Sequence, residues 1–205
     1  FKEHHDIAGE IREHESIPLR IFSLDGSPCD CVIVAIDGGL RSRAPEISPW
    51  LCISGINRGP NLSIDVLHSG TVSAAREASL YGMPAFSVSL ATYAHEDYSD
   101  SIKAALKLVG RLSKVVVSPP KNLLRPNGTG MPLSVEKSNS TIRSWLLDGN
   151  LFLNMNIPEK WNGLFQTVPL GARWYHNATD MLNKGNSGVA FEVGAARIVE
   201  EDIPK

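Results

Sequence analysis

The sequence predicts an α/β fold in which a mainly parallel sheet is covered by helices on both faces. Short apolar segments of strand length alternate with longer segments whose apolar residues recur at helical spacing. The connections between these segments are short, which favours parallel strands joined by crossover helices. In a sheet of this kind, ligands bind beyond the carboxyl ends of the strands.

The first third of the chain supplies two predicted strands and one predicted helix. Residues 19–24 are apolar enough for a strand, and residues 29–40 have the pattern of a helix that Gly38 and Gly39 would close. Residues 50–53 are expected to form a short buried strand. The residues that follow it therefore fall in a loop at its carboxyl end.

The middle of the chain continues the alternation. Residues 71–81 have a helical pattern with a face of small alanines, and Gly82 is available to end the helix. Residues 85–90 are expected to form a short strand. A long helix is predicted after it, with an apolar stripe formed by Ile102, Ala105, Leu106, Val109 and Leu112.

The last part of the chain is less regular. Residues 114–117 are expected to form a strand, and residues 118–143, rich in Pro, Gly, Asn and Ser, are predicted to be a mobile loop. Residues 151–156 return to a strand. Residues 164–168 and 189–199 are expected to form a C-terminal β-hairpin extension.

The composition limits the classes of protein. At 205 residues, with 42% hydrophobic and 20% charged residues, the chain has the composition of one globular domain. Its net charge of -2 does not favour binding to DNA. No apolar run of about 18 residues occurs and the amino terminus is polar, so we expect no membrane span, no signal sequence and a cytoplasmic location. The chain begins with Phe and not with Met, from which we expect either a fragment or an edited sequence.

The three cysteines fit the expectation of a cytosolic protein. Cys29, Cys31 and Cys52 have none of the usual spacings of a zinc site. We expect them to be reduced, mostly buried thiols of a cytosolic protein.

One stretch, SGINRGPNLSIDVLHSGTV, concentrates glycines, asparagines and hydroxyl residues between a predicted strand and a predicted helix. Asn57 follows the strand, and its amide oxygen is a neutral hard ligand suited to Mg²⁺, Mn²⁺ or Ca²⁺. Ser69 and Gly70 precede Thr71 at the start of the helix, whose N–H groups and positive dipole end favour an anion. The stretch therefore predicts a metal ion and a phosphate at one junction.

A purely structural interpretation stays open beside this one. A serine or threonine before a helix is most often an N-cap, and glycines in a loop most often serve its turns. The stretch has no lysine in the position that a phosphate-binding P-loop requires. It also lacks the glycine spacing of a dinucleotide-binding fingerprint.

The same residues resemble a known family. Residues 54–90, SGINRGPNLSIDVLHSGTVSAAREASLYGMPAFSVSL, resemble the central signature of the SurE family of survival-protein nucleotidases, with its G-x-N-x-G-x-N, D-V-x-Y/H-S-G-T-V-x-A-A and G-x-P-A elements. Upstream, DGSPCDCVIVAI resembles the D-G-T-P-x-D-C-V segment of that family. Downstream, FLNMNIP resembles its L-N-x-N-x-P strand.

The resemblance implies both an architecture and an activity. Residues 1–158 would form a Rossmann-like three-layer sandwich, and residues 159–205 would form a hairpin extension that joins a homodimer or homotetramer. The implied activity is that of a metal-dependent phosphomonoesterase acting on nucleoside 5′- and 3′-monophosphates, with polyphosphate as a further substrate. Mg²⁺ or Mn²⁺ would be the cofactor, with Ca²⁺ as another candidate.

The resemblance also assigns site residues. Asn57, the first asparagine of the G-x-N motif, would bind the metal. The residues that would contact the substrate phosphate are Asn61, Ser69, Gly70 and Thr71.

The sequence departs from the family pattern at one important point. The first strand of the family ends in N-D-D-G, whose paired aspartates are the main metal ligands, and a metal-binding loop serine follows it. Neither element is present in this sequence, so its catalytic residues stay unassigned. The alternative hypothesis is a catalytically inactive module that binds nucleotide or phosphate or acts as a scaffold.

Three further polar residues lie in the matched motifs. Asp30 and Asp65 are the nearest carboxylates, and a surface or loop-capping role is favoured for both over a role behind the metal. His68 adjoins the S-G-T turn and is expected to pack or to contact a ring, not to carry acid-base chemistry.

Overall fold

The computed structural model describes residues 7–14, 17–120, 123, 142–172, 174–176, 179–183, 189–193 and 197–199, and it describes side chains within 20–120, at 123 and within 142–172. The described chain forms two compact units. The first comprises the residues up to Asn61 together with Ser69–Leu164. The second comprises Leu62–His68 and the residues from Phe165 onward.

The centre of the first unit is a parallel sheet. Its strand order is β3-β4-β5, formed by Cys52–Arg58, Ala85–Leu90 and Leu153–Ile157. Both neighbouring pairs are parallel, so the parallel sheet expected from the sequence is confirmed. β4 lies in the middle and is buried along its whole length. The carboxyl ends of the three strands meet at one edge, where the sequence predicts the ligand.

The edge strand β3 differs from its prediction. It runs to Arg58, whereas the sequence indicated a strand that ends at Ile53. Ile53 is 46% exposed, so the expectation of a buried strand is wrong at this position. Among the described strands, β3 has a neighbour on one side only, and this explains the exposure.

The first two strands form a separate pair. β1 (Ile7–His14) and β2 (Ile17–Leu24) are antiparallel, with Ile7 opposite Leu24. The strand expected over residues 19–24 is confirmed. Its partner is β1, however, and not a strand of the parallel sheet.

The helix expected over residues 29–40 forms as two pieces. α1 spans Pro28–Val34 and α2 spans Leu40–Arg43. Between them, Ala35–Gly39 form a π-helical turn in which Gly38 has a φ of 122°. Glycine adopts this conformation without steric cost, so the chain bends here and then continues as a helix. The prediction that the glycines close the helix is therefore wrong.

The helix α3 belongs to the second unit and spans Asp65–His68, whereas α4 belongs to the first unit and spans Gly70–Leu80. α4 packs on β3 and β4 through a face of small residues, as the sequence predicts. The chain ends this helix at Tyr81, and Gly82 follows with a φ of 80°. The buried residues of α4 are Val72, Ala74, Ala75, Ala78 and Ser79.

The long helix α5 spans Ser99–Val115 but is rotated relative to its prediction. Its buried residues are Ser101, Ala104 and Leu112, whereas Ile102 and Leu106 are 49% and 65% exposed. A small serine and alanine face the protein here, and two larger apolar residues face outward. The apolar stripe read from the sequence is therefore wrong for these two residues.

Two segments after α5 also differ from their predictions. Lys114 and Val115 lie in the last turn of α5, since the amide of Val116 still donates to the carbonyl oxygen of Leu112. The strand expected over residues 114–117 therefore does not form. Most of the predicted loop 118–143 lies outside the described residues. The helix α6 begins at its end and spans Ile142–Leu147.

The second unit contains the remaining strands. β7 (Thr179–Asn183) pairs antiparallel with β8 (Val189–Val193), and β6 (Trp174–His176) pairs antiparallel with β9 (Arg197–Val199). The hairpin strands expected within residues 189–199 are thus present. Residues 164–168, all of which the structure describes, form no strand.

None of the described helices is long and apolar enough to cross a membrane. The longest of these is α5, which carries several charged residues.

Candidate active site

The candidate site lies where the carboxyl end of β3 meets the amino-terminal end of α4. Asn57 is the penultimate residue of β3, and it is not in the loop where the sequence placed it. Its Cα is in register with that of Ser89 on β4. Because register partners in parallel strands share a face, the Asn57 side chain lies on the same face of the sheet as Ser89.

A bulge in β3 creates this register. Ser54 is opposite Ser87 and Asn57 is opposite Ser89, so β3 advances by three residues while β4 advances by two. An extra residue of this kind changes which side chains face each side of the sheet. Gly55 permits the bulge, since its φ is 126° and a Cβ built on it would overlap the carbonyl oxygen of Val88.

The carboxamide of Asn57 is held in one orientation. Its Nδ2 donates to the carbonyl oxygens of Arg58, at 3.1 Å, and Gly59, at 2.8 Å. Its Oδ1 accepts a hydrogen bond from Oγ1 of Thr71 at 3.3 Å. The backbone thus fixes the nitrogen side of the amide, and the oxygen is turned toward the start of α4.

The start of α4 combines a capped turn with a hydroxyl group. Ser69 is the N-cap, and its Oγ accepts a hydrogen bond from the amide of Val72 at 3.1 Å. The capping interpretation of Ser69 therefore holds. Gly70 lies against Pro28 at the start of α1, where an added Cβ would stand 3.2 Å from the proline ring. The first N–H groups of an α-helix have no backbone acceptor within the helix, and since Ser69 takes that of Val72, those of Gly70 and Thr71 are the candidates for binding an anion.

Asn61 is built into a buried network of polar groups. Its amide donates to Oδ1 of Asn156 at 2.8 Å, and its carbonyl oxygen accepts from Nδ2 of Asn154, at 2.9 Å, and of Asn156, at 3.0 Å. Its own Nδ2 donates to Oγ of Ser89 at 2.8 Å. Asn61 is 6% exposed, and these bonds fasten the segment after β3 to the other two strands.

The network extends across one face of the parallel sheet. Ser87 is in register with Asn154 and donates to its Oδ1 at 2.9 Å, and Ser89 is in register with Asn156. Sequence reasoning noted Asn154 and Asn156 only as part of the L-N-x-N-x-P motif and gave no role to them, nor to Ser87 or Ser89. The signal that could have identified them is polar residues two apart within otherwise apolar strands, which places them on one face.

The two carboxylates of the matched motifs have structural roles. Oδ2 of Asp30 accepts from the amide and the hydroxyl of Ser27, at 2.7 and 2.6 Å, and completes a capping box at the start of α1. Oδ2 of Asp65 accepts from the amide of Leu62 at 3.4 Å. His68 ends α3 and is exposed.

The residues present do not by themselves make a metal site. Within the part of the chain that the structure describes, no group of three or more His, Cys, Asp or Glu side chains could hold a metal ion. Asn57 and Thr71 contribute one carboxamide oxygen and one hydroxyl group. A divalent cation such as Mg²⁺ is usually held by one or two carboxylates with further oxygen ligands. Asn57 therefore fits only as one neutral ligand of a larger set.

A pocket at the same edge of the sheet is negatively charged, in contrast to the positive amino-terminal end of α4. The pKa of Asp97 is lowered by hydrogen bonds from Ser99, and the pKa of Asp100 is lowered chiefly by its hydrogen bond from Lys103. Both carboxylates are ionised at neutral pH, so this pocket disfavours a phosphate. Its lining residues are Leu90, His95, Asp97, Asp100, Pro158 and Glu159.

None of the three cysteines, all of which the structure describes, forms a disulfide bond, but their environments differ. Cys29 and Cys52 are partly buried, and burial raises the pKa of Cys52 to about 11. Cys31 is exposed, so the expectation that the thiols are mostly buried is wrong for this residue.

The comparison with known families agrees with these motifs. The family model described as Survival protein SurE matches residues 4–177. The chain belongs to the SurE family. The match includes both Asn57 and the start of α4, so the two elements that form the candidate site lie within the SurE region.

Curated SurE relatives extend beyond this chain. A protein named 5'-nucleotidase SurE from Synechococcus sp. (strain JA-3-3Ab) is 31% identical over 195 residues, which are 94% of this chain and 62% of that protein. A protein of the same name from Pelotomaculum thermopropionicum is 47% identical over 106 residues, which are 52% of this chain and 38% of the relative. The chain thus spans less than two thirds of the length of these SurE relatives.

A solved SurE structure supports the fold. The crystal structure of the SurE protein from Aquifex aeolicus has a TM-score of 0.56 and 23% sequence identity, and the similarity covers 96% of this chain and 64% of that chain. Together with the parallel sheet and its helices, this confirms the Rossmann-like α/β fold predicted from the sequence.

Proposed function

We propose that the protein is a metal-dependent phosphomonoesterase that hydrolyses nucleoside 5′- and 3′-monophosphates, with polyphosphate as a further substrate. Membership of the SurE family and its similarity to proteins named 5'-nucleotidase SurE support a 5′-nucleotidase. The observation that carries the proposal for this chain is the contact between Asn57 and Thr71. It brings the proposed cation ligand next to the proposed anion-binding helix terminus.

Each group at this junction has a chemical role in the proposal. The hydroxyl of Thr71 and the first N–H groups of α4 would bind oxygens of the phosphoryl group and stabilise the charge that develops on it. Ser69 and Gly70 form the turn that presents these N–H groups. Asn61 would act by holding the loop between Gly59 and the site through its buried bonds.

A divalent cation, when bound, would supply a Lewis acid for the phosphoryl oxygen. Asn57 is the residue that we propose as one of its ligands, since the two bonds from its Nδ2 turn its oxygen toward α4. Mg²⁺ and Mn²⁺ are the preferred candidates, with Ca²⁺ as the third, because each is bound by oxygen ligands.

The test is release of inorganic phosphate from AMP, measured with Mn²⁺ and with Mn²⁺ removed by EDTA. We expect activity that depends on the metal and that falls at least about tenfold in Asn57→Ala. Asn150→Ala is the matched control, since Asn150 is an exposed asparagine in the turn before β5. Equal activity of wild type and Asn57→Ala would remove Asn57 from the site.

The second candidate function is an inactive nucleotide- or phosphate-binding or scaffold module. It is favoured by one observation, the lack of a group of three metal-binding side chains among the described residues. AMP binding without phosphate release in the presence of Mg²⁺, Mn²⁺ or Ca²⁺ would support this candidate and contradict the enzyme.

The proposal also covers location and assembly. We propose a cytoplasmic protein that forms a homodimer or homotetramer through residues 159–205, with residues 1–158 as the Rossmann-like core. Light scattering at micromolar concentration measures the mass directly. A monomer under these conditions would contradict the proposed assembly.

A further inference from the structure

The loop between β4 and α5 presents an exposed aromatic ring beside the candidate site. The side chain of Tyr93 is 65% exposed. Exposed single apolar residues are common on protein surfaces, so this exposure alone carries no conclusion. The position of the ring and the way its backbone is held distinguish Tyr93 from the others.

Side-chain bonds hold the loop on both sides of Tyr93. Nη2 of Arg58 donates to the carbonyl oxygen of Tyr93 at 3.2 Å, and Nη1 of the same guanidinium lies 3.1 Å from Oε1 of Glu96. On the other side, Oγ1 of Thr92 donates to Oε1 of Glu159 at 2.5 Å. Arg58 directly follows Asn57 in β3, so the loop is tied to the strand that carries the proposed metal ligand.

The ring itself lies against Gly59. A Cβ built on Gly59 would overlap Cε1 and Cζ of the Tyr93 ring, so this contact requires a glycine. The carbonyl oxygen of Gly59 also accepts the 2.8 Å hydrogen bond from Nδ2 of Asn57. One buried glycine therefore contacts both the Tyr93 ring and the Asn57 amide.

From this arrangement we infer that Tyr93 is the stacking surface for the base of the nucleotide substrate. The inference rests on the proposed nucleotidase function and names a part of its substrate site. An aromatic ring held in place at the side of a phosphate site can stack on any base, because every base has a π face. The Tyr93 ring would therefore accept different bases without selecting among them.

The charges at this edge of the sheet give the nucleotide a direction. Asp97 lies in the same loop as Tyr93 and is an exposed carboxylate, and Glu159 follows β5 beside it, whereas the charge of Glu96 is offset by its ion pair with Arg58. An anionic phosphate is disfavoured beside them and favoured at the positive end of α4 near Thr71. The phosphate therefore faces α4, and the uncharged base faces the loop and Tyr93.

The experiment compares a phosphate ester that carries a base with one that lacks it. KM and kcat are measured for AMP and for ribose 5-phosphate with wild type, Tyr93→Leu and Tyr93→Phe. We expect Tyr93→Leu to raise KM for AMP about tenfold, because the stacking of the base on the aromatic ring is lost. KM for ribose 5-phosphate should stay within about twofold, and Tyr93→Phe should behave like wild type.

Several results would overturn the inference. One is an unchanged KM for AMP in Tyr93→Leu. Another is an equal rise in KM for AMP and for ribose 5-phosphate, because this would mean that Tyr93 only supports the loop. If the wild type hydrolyses neither substrate, the proposed activity fails, and adenosine binding measured by calorimetry then decides. Adenosine binding that Tyr93→Leu loses supports the stacking surface, and lack of adenosine binding by the wild type overturns it.

Discussion

The hydroxyl of Thr71 lies 3.3 Å from the carboxamide oxygen of Asn57 and links the first turn of α4 to the end of β3. Thr71→Val keeps the shape of the side chain but removes its hydroxyl group. We expect kcat for AMP to fall about tenfold or more, because a donor near the phosphoryl group is lost. Thr71→Ser retains the hydroxyl and should keep most of the activity. Equal kcat in wild type and Thr71→Val would contradict a role for this hydroxyl.

Ser69 allows the helix cap and the proposed phosphate site to be separated. Ser69→Ala removes the bond to the Val72 amide and should lower the free energy of unfolding by about 1 kcal/mol. Ser69→Asp keeps a capping oxygen and should preserve stability, but its negative charge should raise KM for AMP several-fold. Urea denaturation and steady-state kinetics measure the two effects. An unchanged KM in Ser69→Asp would argue against phosphate binding at this turn.

Asn156 is expected to matter for stability. Asn156→Ala leaves the backbone amide of Asn61 without its acceptor, and it removes one of the two donors to the carbonyl oxygen of Asn61. Since these groups are buried, the free energy of unfolding should fall by roughly 1–3 kcal/mol. The measurement is urea denaturation with Asn150→Ala, an exposed asparagine, as the reference. A loss no larger than in the reference would show that the network contributes little.

Two glycines should respond in opposite directions to the same substitution. Gly55→Ala forces an alanine to a φ of 126° and against the carbonyl oxygen of Val88, so it should cost at least about 2 kcal/mol. Gly110→Ala lies in α5 with nothing within 4 Å of the added Cβ. It should stabilise the protein by about 0.5–1 kcal/mol. Thermal unfolding of both variants measures the difference, and a shift of the same sign in both would contradict the geometry.

Cys52 predicts a dependence of stability on alkaline pH. Burial raises its pKa from its ordinary value of 9.0 to about 11. Between these two values the unfolded thiol ionises while the folded thiol does not, so the stabilisation associated with Cys52 is full below pH 9.0 and is lost as the pH rises toward about 11. The difference in unfolding free energy between wild type and Cys52→Ala should shrink over this range.

Among the three cysteines, Cys31 is exposed, so it should be the first to react with a thiol reagent.

The sequence predicted the elements whose local signals agree with their packing. The strand over residues 85–90 and the helix ending before Gly82 form as expected, because apolar runs, small residues and a glycine stop all indicate the same structure. The rotation of α5 was not predictable in this way. Its buried line uses Ser101 and Ala104, and only tertiary packing decides that these small residues face the sheet.

The candidate site was predictable in its members but not in its geometry. The spacing of Asn57 and Thr71 indicated that both lie at one junction, and their contact is present. The position of Asn57 inside β3 was missed because a bulge is not visible as a pattern of apolar residues. The bonds between Asn61 and Asn156 were missed because they join residues 95 positions apart.

The bulge between Ser54 and Asn57 makes the site depend on the pleating of β3 as well as on the identity of its side chains. If the same residues pleated evenly, without the bulge, the carboxamide of Asn57 would turn to the opposite side of the sheet, away from α4. A change at Gly55 that removes the bulge would therefore dismantle the junction even though every polar side chain stays in place.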